Sequence, residues 1–389
     1  MDFAPRSVSI LGSTGSVGQN TVELINHHCD KFTVDAVTAG RNVKLLARQA
    51  RQLKAKLAVI AEPSLYHELK QELSGSGIGV ASGADSLIEA AAQPAELVVA
   101  AIVGAVGLKP CLTAIRRGAI LAFANKEVLV CAGELVMNEV RIHGATLLPI
   151  DSEHNAIFQI FDPNQRAHIE RIILTASGGP FRTWTPSAIA KASHQDALNH
   201  PNWSMGAKIS IDSATMMNKG LEIIEAHHLF ALDESKIDVV VHPQSIIHSM
   251  VEYEDGSVLA QLGSPDMRTP IAHALAWPQR MASTGAKLNL LTMPDLQFFP
   301  PDFEKFPALR LAREALRQAQ SVPTMLNAAN EVAVAAFLEK KINFGGITEM
   351  VEQSLSKIPS HRLGGLDDIL AVDFATRQIT RELVREYAV

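Results

Sequence analysis

Aromatic side chains make up only 5% of this 389-residue chain, and Ala, Val, Leu and Ile carry most of its 47% hydrophobic content. Small aliphatic residues of that kind suit parallel sheets covered on both faces by helices. Cysteine is scarce too: Cys29, Cys111 and Cys131 are widely spaced, odd in number and form no CxxC pair. That pattern argues against a disulfide framework or a zinc finger and fits buried thiols in a reducing compartment. There is no basic excess either. Against 41 Asp and Glu stand 35 Lys and Arg, a net charge of −6, which is the wrong sign for a phosphate backbone and argues against a nucleic-acid partner. The longest apolar run, Leu97 to Leu108, contains Gly104 and Gly107 and is too short for a bilayer. Met1 to Arg6 lead into a strand pattern without an apolar signal region. A cytoplasmic location without a membrane partner is expected.

What is present is order. The length points to two or three domains. Up to about residue 150, β-rich runs alternate with helical spacing: Ser7–Leu11, Thr33–Thr38, Leu57–Ile60, Leu97–Ile102, Ile120–Phe123 and Thr146–Ile150 are the expected strands. Strand–helix alternation predicts a Rossmann-like, doubly wound parallel sheet over residues 1–151. From 152 to 290 strand-like runs lie between loops rich in Gly, Ser, Asn and His, the texture of an α+β domain whose loops carry chemistry. Residues 291–307 hold four prolines and read as a linker. Residues 308–389 read as a small helical domain.

Gly12-Ser13-Thr14-Gly15-Ser16-Val17-Gly18 closes the first strand and opens a helix. A glycine-rich turn there lets backbone approach a pyrophosphate at the positive end of the helix. The spacing is GxxGxxG, and its position carries more weight than the motif itself. The second strand ends in Ala39-Gly40-Arg41-Asn42. Asp35 lies mid-strand, poorly placed for a ribose hydroxyl, whereas Arg41 is placed to meet a 2′-phosphate, favouring NADP over NAD. A solvated surface arginine is the plainer alternative.

The sixth expected strand runs into Pro149-Ile150-Asp151-Ser152-Glu153-His154-Asn155. On an extended chain, Asp151 and Glu153 leave on one side and would suit a hard divalent cation such as Mg²⁺ or Mn²⁺. The same letters also spell a helix N-terminus. Further on, Ser213, Asn218, Lys219 and Glu222 bring a hydroxyl, an amide, an ammonium and a carboxylate within ten residues. In a helix, Asn218 and Glu222 stand one turn apart. Ser177-Gly178-Gly179 is an anion-binding type of turn. The loop from His200 through Trp203 and Met205 to Gly206 reads as a lid, or as a loop anchored by its indole. Lys126, in Ala124-Asn125-Lys126-Glu127, follows the fifth expected strand. It reads either as a substrate-positioning amine or as half of an ordinary Lys/Glu pair opening a helix. Tyr66 and Lys70 match a Tyr-x-x-x-Lys pattern but come too early in the chain for a short-chain reductase, and neither Cys111 nor Cys131 sits where a nucleophile would be activated.

Taken together, GSTGSVG, AGRN, ANKE, PIDSEHNAIFQ, ASGGPFR, HPNWSMGAKISIDSATMMNKGLE, VHPQSIIHSMVEY and LGSPDMRTPI resemble the 1-deoxy-D-xylulose 5-phosphate reductoisomerase family. The resemblance extends through Asn327 to Ala333 and covers nearly the whole chain. It implies a homodimeric, NADPH- and divalent-metal-dependent enzyme. Such an enzyme rearranges the carbon skeleton of a small phosphorylated sugar and then reduces the resulting aldehyde. By motif, the implied metal ligands are Asp151, Glu153 and Glu222. The implied substrate contacts are Lys126, Ser152, Glu153, Ser177, His200, Trp203, Met205, Ser213, Asn218, Lys219 and Glu222. Catalytic roles are expected at Lys126, Glu153 and His200, with Glu153 and Lys126 unranked as the base. Cofactor contacts are expected at Thr14, Gly15, Ser16, Val17, Gly40, Arg41, Asn42, Asn125, Glu127 and Gly206. Val17 and Arg41 stand where Ile and Lys are frequent in the family, and both keep size or charge.

Overall fold

The computed structural model describes residues 5–203 and 205–387. Its chain divides into two compact units. The first contains residues 1–128, 136–158 and 266–287, and the second residues 129–135, 159–265 and 288–389.

The first unit is built on a seven-stranded sheet: β1 (Arg6–Leu11), β2 (Phe32–Ala39), β3 (Leu57–Ile60), β4 (Gly79–Ser82), β5 (Leu97–Ala100), β6 (Ile120–Phe123) and β7 (Thr146–Pro149). The spatial order is β4-β3-β2-β1-β5-β6-β7 and every pairing is parallel. This is the doubly wound sheet expected, with one strand more than the six anticipated. The addition, β4, is the four residues GVAS, too short and too glycine-rich to show a period of its own. β5 is wholly buried along Leu97-Val98-Val99-Ala100, as a strand covered on both faces must be. The order reverses between β1 and β5, so the crevice for a ligand lies beyond the carboxyl ends of those strands.

Helix Arg268–Ala276 belongs to this unit, although its sequence position falls inside the 152–290 span expected to form the central domain. It packs against helix Ser16–His27 and β7. Two arginines fasten it. Arg268 pairs with Glu23 at 3.0 Å and with Asp266 at 2.6 Å. The guanidinium of Arg6 donates to the carbonyls of Leu275 at 3.0 Å and Trp277 at 2.8 Å, oxygens that the end of a helix leaves without intrahelical partners.

The second unit contains a four-stranded sheet of β8 (Ile169–Ala176), β9 (Ile237–Val241), β10 (Ile247–Tyr253) and β11 (Val258–Leu262), in the order β11-β10-β8-β9. β8 pairs with β9 in parallel, while β10 is antiparallel to both β8 and β11. Helices Ala207–Ala214, Met217–Phe230, Pro307–Gln318, Val322–Leu338, Phe344–Lys357 and Leu366–Tyr387 accompany it. The proline-rich stretch before Pro307 is largely irregular, with an isolated antiparallel bridge from Phe299 to Val241 on β9. Among the described residues, no helix is long and apolar enough to cross a membrane.

Candidate active site

At the carboxyl end of β1 the chain turns through a conformation only glycine allows. Gly12 has φ +90°, and a Cβ there would sit 2.6 Å from the carbonyl oxygen of Ala101. A Cβ on Gly18 would meet the Gly12 oxygen at 2.3 Å, so the third glycine lets helix Ser16–His27 start directly against the turn. Buried Ser13 hydrogen-bonds the Gln49 side chain at 2.8 Å and fixes the loop from behind. Thr14, Gly15, Ser16 and Val17 are left as the face of the helix N-terminus, with Gly15 and Ser16 exposed. Amides at such an end attract an anionic phosphate.

Beyond β2, Gly40, Arg41 and Asn42 are exposed. Asn42 caps helix Val43–Gln52 by accepting from the Leu45 amide at 3.2 Å. Arg41 reaches only a loose 3.6 Å pairing with Glu62 and keeps 79% of its side chain in solvent. Asp35 is buried and paired with Lys56 at 2.6 Å, which accounts for it without a ribose.

Asn125 follows β6 and is buried. Its amide donates to the carbonyls of Ile102 and, at 2.9 Å, of Gly104, tying down the loop after β5. The amide orientation is thereby settled, and its Oδ1 is left buried with no hydrogen-bond partner among the described residues. A buried acceptor in want of a donor is costly, and this one lies at the carboxyl end of the sheet. With the cradle that a Cβ at Gly12 or Gly18 would fill, it fits a dinucleotide. Lys126 and Glu127 follow, both buried.

Asp151 and Glu153 differ from expectation in one respect. They do not extend from a strand: a helix begins at Ser152 and runs to Ile160, with Glu153 in its first turn. The Asp151 carboxylate accepts from the Glu153 amide at 3.3 Å. The helix-start reading is therefore correct for the backbone, and it still directs two carboxylates from neighbouring positions. Lys126 Nζ lies 2.6 Å from Asp151 Oδ2, the two side chains 5% and 12% exposed. Ser152 Oγ donates to Glu153 at 2.5 Å. His154, fully buried, has Nδ1 3.4 Å from Asp151 Oδ1. Carboxylates without any thiolate nearby make an oxygen-rich, hard donor set, suited to Mg²⁺ or Mn²⁺.

In the second unit, Ser177, Gly178 and Gly179 follow β8. Both glycines have positive φ, +82° and +65°, and a Cβ on Gly179 would lie 2.6 Å from the Ser213 carbonyl oxygen. The turn therefore packs directly on the end of helix Ala207–Ala214. Ser177 Oγ and His200 Nε2 are 2.9 Å apart. His200 Nδ1 accepts from the backbone amides of Asn202 at 3.2 Å and Trp203 at 3.0 Å. An acceptor at Nδ1 puts the proton on Nε2, so His200 donates to Ser177 Oγ. That oxygen also accepts from the Gly179 amide at 3.2 Å, which directs the hydroxyl proton outward. Burial pushes the His200 pKa down to about 4 and keeps the ring neutral.

The neighbouring loop places Trp203 and Met205 half-buried, with the indole 6.4 Å from the His248 ring; Ser204 lies outside the described residues. Gly206 caps helix Ala207–Ala214. Helix Met217–Phe230 opens at Met216, a non-glycine residue at φ +63°. Its first turns carry Asn218, Lys219 and Glu222, and both the Asn218 amide and the Lys219 ammonium bond the Glu222 carboxylate. Lys219 and Glu222 are buried. Tyr66 and Lys70 stand one turn apart on helix Tyr66–Glu72, the ammonium 5.7 Å from the ring centre. That contact explains the pair without chemistry. Sequence reading had not singled out His154, or Asn155 and His273, which meet across two elements.

Three family models match the chain: 1-deoxy-D-xylulose 5-phosphate reductoisomerase over residues 8–133, the C-terminal domain of that reductoisomerase over 147–230, and the DXP reductoisomerase C-terminal domain over 262–379. A reductoisomerase of this name from Rhodospirillum centenum is 60% identical over 97% of this chain and 94% of its own. The Zymomonas mobilis enzyme, solved in complex with NADPH, shares 52% identity with a TM-score of 0.93, covering 98% of this chain and 99% of its own. A DOX-P reductoisomerase solved with NADPH, fosmidomycin and magnesium shares 44% identity with a TM-score of 0.92, covering 98% of each chain.

Proposed function

The chain belongs to the 1-deoxy-D-xylulose 5-phosphate reductoisomerase family, and on that premise we propose how its own residues share the work. The activity is NADPH- and divalent-metal-dependent conversion of 1-deoxy-D-xylulose 5-phosphate to 2-C-methyl-D-erythritol 4-phosphate. When bound, NADPH supplies the hydride, and the cation polarises the substrate carbonyl and its neighbouring hydroxyl as a Lewis acid.

Asp151, Glu153 and Glu222 are the proposed metal ligands. The observation that carries this reading is the 2.6 Å pairing of Lys126 with Asp151 at the carboxyl edge of the sheet. It shows a nearly buried carboxylate already matched to positive charge, with Glu153 two residues on in the first turn of the helix. Lys126 balances that charge and points an ammionium-type donor at substrate oxygen. Glu153 and Lys126 are the two groups able to hold a proton beside the reacting carbons.

Ser177, His200, Ser213, Asn218 and Lys219 are proposed to receive the phosphate. The support is directional: neutral His200 donates from Nε2, and the Ser177 hydroxyl has its oxygen occupied by two donors. His200 Nε2 spends its proton on Ser177, so the Ser177 hydroxyl proton is the one left to offer an anion, with His200 orienting it. Ser152 is proposed to touch the sugar, and Trp203 and Met205 to cover it and exclude water. Thr14, Gly15, Ser16, Val17, Gly40, Arg41, Asn42, Asn125, Glu127 and Gly206 are assigned to the dinucleotide, with Arg41 on the 2′-phosphate.

A homodimer in the cytoplasm completes the reading. β11 is an edge strand with Val258 and Leu259 each 48% exposed, and an apolar edge of that kind invites pairing with another chain.

The test is loss of NADPH absorbance with 1-deoxy-D-xylulose 5-phosphate, before and after chelation and readdition of Mn²⁺. Oxidation that disappears with chelator and returns with metal supports the assignment. Equal oxidation in the chelated enzyme overturns the metal reading.

A further inference from the structure

The two carboxylates at Asp151 and Glu153 occupy the start of helix Ser152–Ile160, so whatever sets that helix start against β7 sets their direction. Asn155, one turn in, is 2% exposed. Its Nδ2 donates to the carbonyl oxygen of Pro149, the last residue of β7, at 2.8 Å. This clips the helix back onto the strand it leaves, enclosing the residues from Ile150 to His154 in one hydrogen-bonded turn.

The second proton of the same amide goes to His273 Nδ1, at 3.1 Å and 118 residues away. Because Nδ1 accepts, the imidazole proton resides on Nε2. The ring is also held from the side. Phe158, three residues beyond Asn155 and on the same helix face, approaches it edge-on at 6.1 Å between centroids. Burial and the nearby charge of Arg280 lower the His273 pKa to about 4, so the ring remains a neutral acceptor at ordinary pH. His273 in turn sits on helix Arg268–Ala276, which Arg6 and Arg268 anchor at its two ends. A rigid element thus reaches across to the amide that aims the carboxylates.

We propose that Asn155 and His273 are positioning residues for the metal site: the His273–Asn155–Pro149 chain of hydrogen bonds fixes the turn that presents Asp151 and Glu153 to a divalent cation. The inference rests on the assignment of those carboxylates as ligands. Neither residue touches substrate, cofactor or ion. Their contribution is to keep two donors from swinging apart, the role outer hydrogen bonds play around metal ligands generally.

The test uses the full-length enzyme and Mn²⁺ binding followed by electron paramagnetic resonance, alongside NADPH affinity and the melting temperature without metal. His273→Phe keeps the ring against Phe158 and removes the acceptor. His273→Asn places an amide oxygen where Nδ1 was. His273→Phe is expected to weaken Mn²⁺ binding about 10- to 100-fold, with NADPH affinity unchanged, and His273→Asn to restore it to within a few-fold. Asn155→Leu breaks the chain from the other side, and combining it with His273→Phe is expected to add little further loss. An unchanged Mn²⁺ affinity in His273→Phe overturns the proposal, as does failure of His273→Asn to recover any of it. Should His273→Phe not fold, the comparison of Asn155→Leu with wild type decides by the same criterion. Asp151→Asn separates the two levels. Retained Mn²⁺ binding there refutes the ligand assignment itself, whereas loss there with none in His273→Phe refutes only the positioning role.

Discussion

The ammonium of Lys126 and the carboxylate of Asp151 meet at 2.6 Å, joining the residue that opens one helix to the residue just before another. Removing the negative partner takes this ion pair from a nearly buried ammonium and one proposed ligand from the ion. Asp151→Asn and, independently, Glu222→Gln are expected to lower kcat at least about 10³-fold, roughly 4 kcal/mol of transition-state stabilisation. NADPH binding, followed by nicotinamide fluorescence, stays near wild type. Turnover within tenfold of wild type in either variant removes that residue from the metal site.

Arg41 stands 79% exposed with only a 3.6 Å ion pair, so it is available to a ligand phosphate. Arg41→Ala is expected to raise KM for NADPH by about tenfold or more, consistent with the roughly 1.5–3 kcal/mol of a hydrogen bond to a charged group. KM for NADH, which has no 2′-phosphate, is expected to change little. Equal losses with both cofactors in steady-state kinetics point to damage of the shared pyrophosphate turn instead.

Ser177 accepts from His200 and Gly179 and has its own proton left to offer. Ser177→Ala is expected to raise KM for the sugar phosphate about tenfold while KM for NADPH stays put. A shift confined to NADPH would displace Ser177 from the substrate side altogether.

Gly133 lies under the His228 ring so closely that a Cβ would fall 2.2 Å from its Cδ2. Gly133→Ala should therefore destabilise the enzyme by about 1–3 kcal/mol through overpacking, measured by the denaturant midpoint. The same burial lowers the His228 pKa from 6.5 to about 4, with the charge of His227 adding to it. Between those values the unfolded chain binds a proton that the folded chain refuses. The stability linked to this ring is thus complete above about pH 6.5 and is lost as pH falls toward 4. Melting temperatures from pH 7 down to 5 are expected to fall less steeply in His228→Gln than in wild type, and parallel curves exclude His228 as a source of the acid limb.

Much of the cofactor half was legible because its determinants are local. Strand period and the glycine turn at Gly12 and Gly18 are written within a few adjacent residues. Asn218 and Glu222 were likewise legible, since helix geometry alone brings positions four apart together, and the structure joins them through Glu222. β4 was missed because four residues with a glycine carry too little periodicity. At Asp151 and Glu153 the helix-start alternative prevailed over the extended one: the residues that cap a helix are also those that bind cations, and local letters do not separate the two uses.

By itself, then, the sequence determined the parallel sheet, the glycine turn after its first strand and the stock of oxygen donors, all of which follow from short-range sterics and residue chemistry. Tertiary structure alone decided that helix Arg268–Ala276 joins the first unit, that His273 holds the amide of Asn155, and that His200 keeps its proton on Nε2. Those outcomes depend on groups more than a hundred residues apart, or on which backbone amides happen to face an imidazole. They are settled by packing and by the cost of leaving a buried polar atom unpaired, neither of which leaves a periodic trace in the chain.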